Sequence, residues 1–192
     1  SELCQTELQS ILTDNIYFFS NYKVYTYYDS QTQSNIDDIF NKNNNEYDTT
    51  IVVLDKNNEI LAYRSTCKSV KRQLGSTIKP LAVYAPCIEE GICHPLTKIN
   101  DEKTDFNGYS PSNYNDKYYG KVTVKTSLEK SLNTPAVKLL NDLGLDKSLS
   151  YLNKCGLKFS KNNGLALALG GTTEEFTLID IASAYGIFKS EG

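Results

Sequence analysis

The chain has 192 residues, enough for one domain or slightly more, and its 40% apolar content is lean but sufficient to bury a core. A formal net charge of −3 leaves no electrostatic footprint for nucleic acid, and no apolar run approaches the roughly 20 residues that span a bilayer. Five cysteines and a single histidine, His94, lack any zinc-ligand spacing, so no metal or other cofactor is expected.

In chain order, Leu3, Leu8, Ile11 and Leu12 fall on one side of a helix over residues 3–16. Tyr22 to Tyr28 alternates as a strand, and Ser30 is placed to cap a helix carrying Ile36 and Phe40. A polar loop follows at 41–46. The β-rich runs 50–54 and 60–63 flank Asp55-Lys56-Asn57-Asn58-Glu59 and read as a hairpin. A polar, basic link over 67–73 then leads into Gly75-Ser76-Thr77-Ile78-Lys79-Pro80, a turn opening a helix. Leu81-Ala82-Val83-Tyr84-Ala85 carries that helix into the core.

Residues 89–116, punctuated by Gly91, Pro95, Gly108 and Pro111, read as a long loop. Its tyrosines, with Tyr109, Tyr114, Tyr118 and Tyr119 clustered, either line a substrate groove or pin the loop as buried aromatics. From Asn133 on, the pattern is helical. Leu139, Leu140 and Leu143 form a stripe ending at Gly144, and a shorter helix with Leu149, Tyr151 and Leu152 ends near Gly156. Gly170 and Gly171 mark a loop, and Thr177 caps a last helix with Leu178, Ile181, Ala182, Tyr185 and Phe188 on one face. Cys87 and Cys93 could bridge a helix end to the loop after it, but small buried apolar side chains are the preferred reading.

The chemistry centres on Ser76 and Lys79. On a helix, residues three apart share a face, which suits a serine nucleophile and an amine base. A helix N-terminus adds free backbone N–H groups and a partial charge of about +0.5, both favourable to a developing oxyanion. The same field and partial burial disfavour the ammonium form of Lys79. Ser-x-x-Lys recurs at Ser20/Lys23, Ser65/Lys68 and Ser127/Lys130, and its ordinary meaning is a cap serine followed by a solvated lysine. Two neighbours separate Ser76 from the rest. Gly75 permits a close approach before the serine, and Pro80 should push Lys79 away from the α region. Downstream, Ser131-Leu132-Asn133 could supply a proton-relaying hydroxyl and a carboxamide for a substrate amide, though taken alone it is a cap before a helix.

These pieces, with Tyr109-Ser110-Pro111-Ser112-Asn113-Tyr114, Tyr119-Gly120-Lys121-Val122-Thr123-Val124, Ala166-Leu167-Ala168-Leu169-Gly170-Gly171 and Ile181-Ala182-Ser183-Ala184-Tyr185, stand in an order that resembles the transpeptidase domain of class A penicillin-binding proteins. The resemblance implies an α+β fold, the α/β/α sandwich shared with serine β-lactamases, in which an antiparallel sheet is flanked by helices. The 50–63 hairpin would open that sheet and the Ser76 helix would pack against it. Residues 1–45 would be a connector and 46–192 the N-terminal part of the transpeptidase domain.

By the same resemblance Ser76 is the nucleophile, Lys79 its base, and Ser131 with Asn133 the second motif. The implied partners are peptidoglycan stem peptides ending in D-Ala-D-Ala, β-lactams, and the remainder of the domain, at the extracytoplasmic face of the membrane. The family's third motif, Lys-Thr/Ser-Gly on a strand, has one near match in Lys125-Thr126-Ser127. That match precedes Ser131 and opens a helix, with Thr126 and Glu129 as a capping box, so it is a decoy. The true motif is expected beyond Gly192. The chain lacks methionine, so Ser1 is not expected to be a translation start, and the chain alone is expected to be inactive. A serine β-lactamase and a non-catalytic β-lactam or peptidoglycan sensor are the alternatives.

Overall fold

A computed structural model describes residues 23–42, 47–67 and 71–189; the helix expected over 3–16 lies outside them. Helix α1 (Ser30–Lys42) buries Ile36 and Phe40 as its spacing predicts. Its cap is Asp29, one residue earlier than expected: the carboxylate accepts the Thr32 N–H at 2.7 Å. Residues 23–28 form no strand. Val24, Tyr25, Tyr27 and Tyr28 are exposed, so neither face of the alternation has a core to bury.

Strands β1 (Thr50–Leu54) and β2 (Ile60–Ser65) make the expected antiparallel hairpin, with Thr50 opposite Ser65 and Val53 opposite Ala62. Asp55 folds its connection, accepting the N–H groups of Asn57 at 2.7 Å and Glu59 at 2.9 Å. The Arg64 guanidinium lies over the Phe40 ring at 5.3 Å, fastening β2 to α1.

A second hairpin takes its first strand from the 89–116 stretch expected to be loop. Strand β3 (Lys98–Asp101) pairs with β4 (Gly120–Thr123), Ile99 opposite Val122. Lys98-Ile99-Asn100-Asp101 is short and mostly polar, and no local pattern marks it. Helix α3 (Val124–Glu129) follows, capped by Thr123 Oγ1 on the Thr126 N–H at 3.1 Å rather than by Thr126. Lys125-Thr126-Ser127 is therefore helical, as expected of a decoy.

Helices α4 (Asn133–Leu143) and α5 (Leu145–Lys154) meet at Gly144, whose φ of 87° makes the sharp turn between them. A 3₁₀ stretch, Lys161–Leu169, helix α6 (Leu178–Tyr185) and a 3₁₀ turn, Gly186–Phe188, complete the described chain, α6 opening on a Thr177/Asp180 capping box. Among the described residues no helix is long and apolar enough to cross a membrane.

The core gathers around one helical run, 75–89, termed α2. Leu81, Ala82, Val83 and Tyr84 are all buried, so this run is apolar on every side, as a central helix must be. It packs on α4, α5 and Lys161–Leu169, contributing to a core with Val137, Leu140, Leu152, Leu157 and Leu167. The β1–β2 hairpin lies against α1 and α6. Cys87 and Cys93 are buried, Cys67 and Cys155 partly so, and all four are free thiols.

Candidate active site

Helix α2 passes through three geometries where the sequence places its chemistry. Gly75–Ile78 is one 3₁₀ turn, Pro80–Tyr84 a π-helical turn, and Ala85–Glu89 α-helical. A 3₁₀ turn repeats every three residues, so Ser76 and Lys79 eclipse one another along the axis. The Lys79 N–H bonds Ser76 O, closing that turn. Pro80 has no N–H to return to it, and the hydroxyl of Tyr185 on α6 donates to Thr77 O at 2.6 Å.

Lys79 itself is helical, φ −52° and ψ −46°, against the expectation that Pro80 would exclude it from the α region. Tertiary anchoring overrides the local preference. The side chain is 1% exposed, and Nζ donates to Asn133 Oδ1 at 2.6 Å, Ser131 O at 2.7 Å and Ser131 Oγ at 3.1 Å. Burial holds its pKa down, to about 8. The lowered value leaves more of the lysine as free base near neutral pH than an ordinary lysine would have.

Ser131 sits in the left-handed region, φ 52°. The reason is the end of α3. Ser131 N–H bonds Leu128 O at 3.0 Å and Leu132 N–H bonds Ser127 O at 2.9 Å, the paired closure of a Schellman motif. Glycine normally occupies that position. A serine there accepts backbone strain and turns both its carbonyl and its hydroxyl onto Lys79. Two residues on, Asn133 is the first residue of α4; its Nδ2 donates to Ser112 O at 2.7 Å, leaving Oδ1 for the lysine.

Ser76 is exposed beside this buried cluster. The structure thus brings Lys79, Ser131 and Asn133 into direct contact and sets Ser76 one turn from the lysine. A strap holds the turn from outside. Arg72 and Phe176 exchange backbone hydrogen bonds at 2.9 and 3.0 Å, and Gln73 Nε2 donates to Thr172 O at 2.6 Å. Gly170 lies within this strap, against Gly75. Sequence reasoning assigned no role to Gly170, nor to Asn113, whose Oδ1 accepts the Asn133 N–H at 2.7 Å. Both stand in the motifs that carry the resemblance, and Gly170 also marks a loop. Of the tyrosines, Tyr109 packs against the core, as an aromatic pinning the loop does, while Tyr114 is 87% exposed.

The family described as Penicillin binding protein transpeptidase domain matches residues 31–190. Penicillin-binding protein 1F of Bacillus subtilis is 40% identical over 121 residues, which cover 63% of this chain and 17% of that protein. The chain therefore spans about a sixth of the length of such curated relatives. The structure of penicillin-binding protein 1A from Haemophilus influenzae aligns with TM-score 0.62 at 26% identity, covering 73% of this chain and 23% of that one. The PonA1 protein of Mycobacterium tuberculosis, in complex with penicillin V, aligns with TM-score 0.78 at 19% identity, over 95% of this chain and 55% of that one, a likeness of fold. The α+β arrangement is that of the penicillin-binding proteins.

Proposed function

The chain belongs to the transpeptidase family of penicillin-binding proteins, and from that premise we propose that Ser76 is the residue acylated by D-Ala-D-Ala stem peptides of peptidoglycan, and by β-lactams in their place. The single observation carrying this reading is the buried Lys79, its Nζ on Ser131 and Asn133, one turn from an exposed serine.

In its neutral form Lys79 takes the Ser76 hydroxyl proton as Oγ attacks the carbonyl of the penultimate D-alanine. The Ser76 N–H belongs to the first turn, which the helix itself leaves unpaired, and donates to the oxyanion. Lys79 returns the proton through Ser131 Oγ to the leaving D-alanine nitrogen. Asn133 offers its carboxamide to the substrate amide. Such a substrate lies outside the cytoplasmic membrane, which sets the working location. The Lys125-Thr126-Ser127 segment, being helical, takes no part. Downstream of Asn133 the sequence holds no Lys-Thr/Ser-Gly, and residues 1–192 by themselves should acylate far more slowly than a domain carrying that motif, since even one lost oxyanion donor costs about 10²–10³ in rate.

The test is mass spectrometry of the complete polypeptide containing this sequence after mixing with a labelled penicillin. A long-lived adduct on Ser76 is expected. Rapid turnover of the adduct would identify a β-lactamase, and absence of any adduct would leave the sensor reading.

A further inference from the structure

We propose that Asn113, held by the buried carboxylate of Asp101, is a positioning residue for acylation: it caps α4 from outside and thereby sets Ser131 and Asn133 against Lys79. This rests on the reading of Ser76 and Lys79 given above.

Helix α4 begins without a cap of its own. The N-cap position is Leu132, which has no side-chain oxygen and is 4% exposed in the core. The arrangement forces this: Ser131 must take the left-handed turn and Asn133 must face the lysine, so the residue between them falls at the cap. The unpaired N–H groups of the first turn are instead met by Asn113 Oδ1, at 2.7 Å from Asn133 N and 3.4 Å from Thr134 N. The other end of the same amide is fixed twice. Asn113 Nδ2 donates to Asp101 Oδ1 at 2.7 Å and to Lys117 O at 3.0 Å. Asp101 Oδ2 accepts the Tyr119 N–H at 2.9 Å.

Asp101 is 0% exposed and Asn113 5%, and among the described residues Asp101 makes no ion pair. A buried carboxylate satisfied by neutral donors alone is a costly feature to keep for stability. What it does here is directional. A charged acceptor on Nδ2 fixes which end of the amide faces α4 and strengthens Oδ1 as an acceptor. The result is one connected line from Asp101 through Asn113 to Asn133, and from there to Lys79 Nζ. Ser112, the adjacent residue, holds the Asn133 amide itself through its carbonyl.

The experiment follows acylation by a labelled penicillin in the complete polypeptide, separating the limiting acylation rate from the affinity of the complex before the covalent step. Asn113→Ala should lower the limiting rate by about 10²-fold while affinity moves less than about 3-fold, the signature of a misplaced catalytic group. Asn113→Asp brings two carboxylates together and should lose at least as much. The double variant Asn113→Asp with Asp101→Asn reverses the polarity of the pair and should recover about 10-fold over Asn113→Asp. Thermal unfolding of each variant is followed in parallel, and if Asn113→Ala does not fold, the double variant against Asn113→Asp decides. Wild-type limiting rates in folded Asn113→Ala, a loss confined to affinity, or a double variant no better than Asn113→Asp would each overturn the proposal. A wild-type protein that forms no Ser76 adduct overturns the underlying reading, and the positioning role with it.

Discussion

Gly170 rests directly on Gly75: a Cβ built on Gly170 would lie 2.3 Å from Gly75 O and 2.5 Å from Gly75 N. Both glycines have positive φ, 71° and 52°, so two left-handed turns are stacked backbone to backbone immediately before the proposed nucleophile. Gly170→Ala must push the Ser76 turn aside. We expect a loss of about 1–3 kcal/mol in denaturant unfolding and a fall of about 10²-fold in Ser76 acylation. Gly171→Ala is the control, since its Cβ would meet Ala166 at an ordinary 3.9 Å. If the two variants behave alike, the contact has no positioning role.

Ser131 separates stability from chemistry. Both Ser131→Gly and Ser131→Ala remove the hydroxyl facing Lys79 and should lower acylation by about 10²–10⁴. Glycine relieves the left-handed strain at φ 52° and alanine does not, so the glycine variant should be the more stable by about 1–2 kcal/mol. Comparative chemical denaturation of the two variants measures this. Equal stability would mean the backbone at 131 is not strained.

Acylation should rise with pH through about 8, because burial lowers the Lys79 pKa to that value and the neutral amine is the base. Stability has its own sign. A lysine with a folded pKa of about 8 and an ordinary unfolded value of 10.5 binds fewer protons folded than unfolded between those limits. Its contribution to stability therefore improves as pH rises across that window and is flat below it. The difference in unfolding midpoint between wild type and Lys79→Met, followed from pH 6 to 11, should show this rise; a flat difference would refute the lowered value.

Tyr185→Phe removes a single hydrogen bond to Thr77 O, formed at 2.6 Å where Pro80 donates nothing. A cost of about 0.5–1.5 kcal/mol is expected by thermal denaturation, with acylation reduced far less than in Gly170→Ala.

Lys125→Ala tests the decoy. Lys125 is exposed on α3, its nearest partner Glu129 at 3.8 Å, one helical turn away. Acylation should stay within about 2-fold of wild type, as for a surface ion pair of little consequence. A large loss would place Lys125 in the site after all.

The local elements were legible because their signals are local. Ile36 and Phe40, the hairpin runs 50–54 and 60–63 around Asp55, and the Thr177 cap each carry their signal within a few residues. The failures share a cause. Lys98–Asp101 becomes a strand because Gly120–Thr123 pairs with it, and residues 23–28 form none because no strand among the described residues pairs with them. Neither outcome is written in the segment itself.

At the site the division is the same. Sequence alone determined that Ser76 and Lys79 lie one turn apart on a helix entering the core, and that Lys125-Thr126-Ser127 is helical, since both follow from spacing along one segment. Only the tertiary structure decided that Lys79 is buried, that its acceptors come from 52 and 54 residues downstream, and that Gly170 braces Gly75. The reason is physical: a depressed pKa comes from the water a side chain has lost, and that water is excluded by residues distant in sequence that only folding brings together.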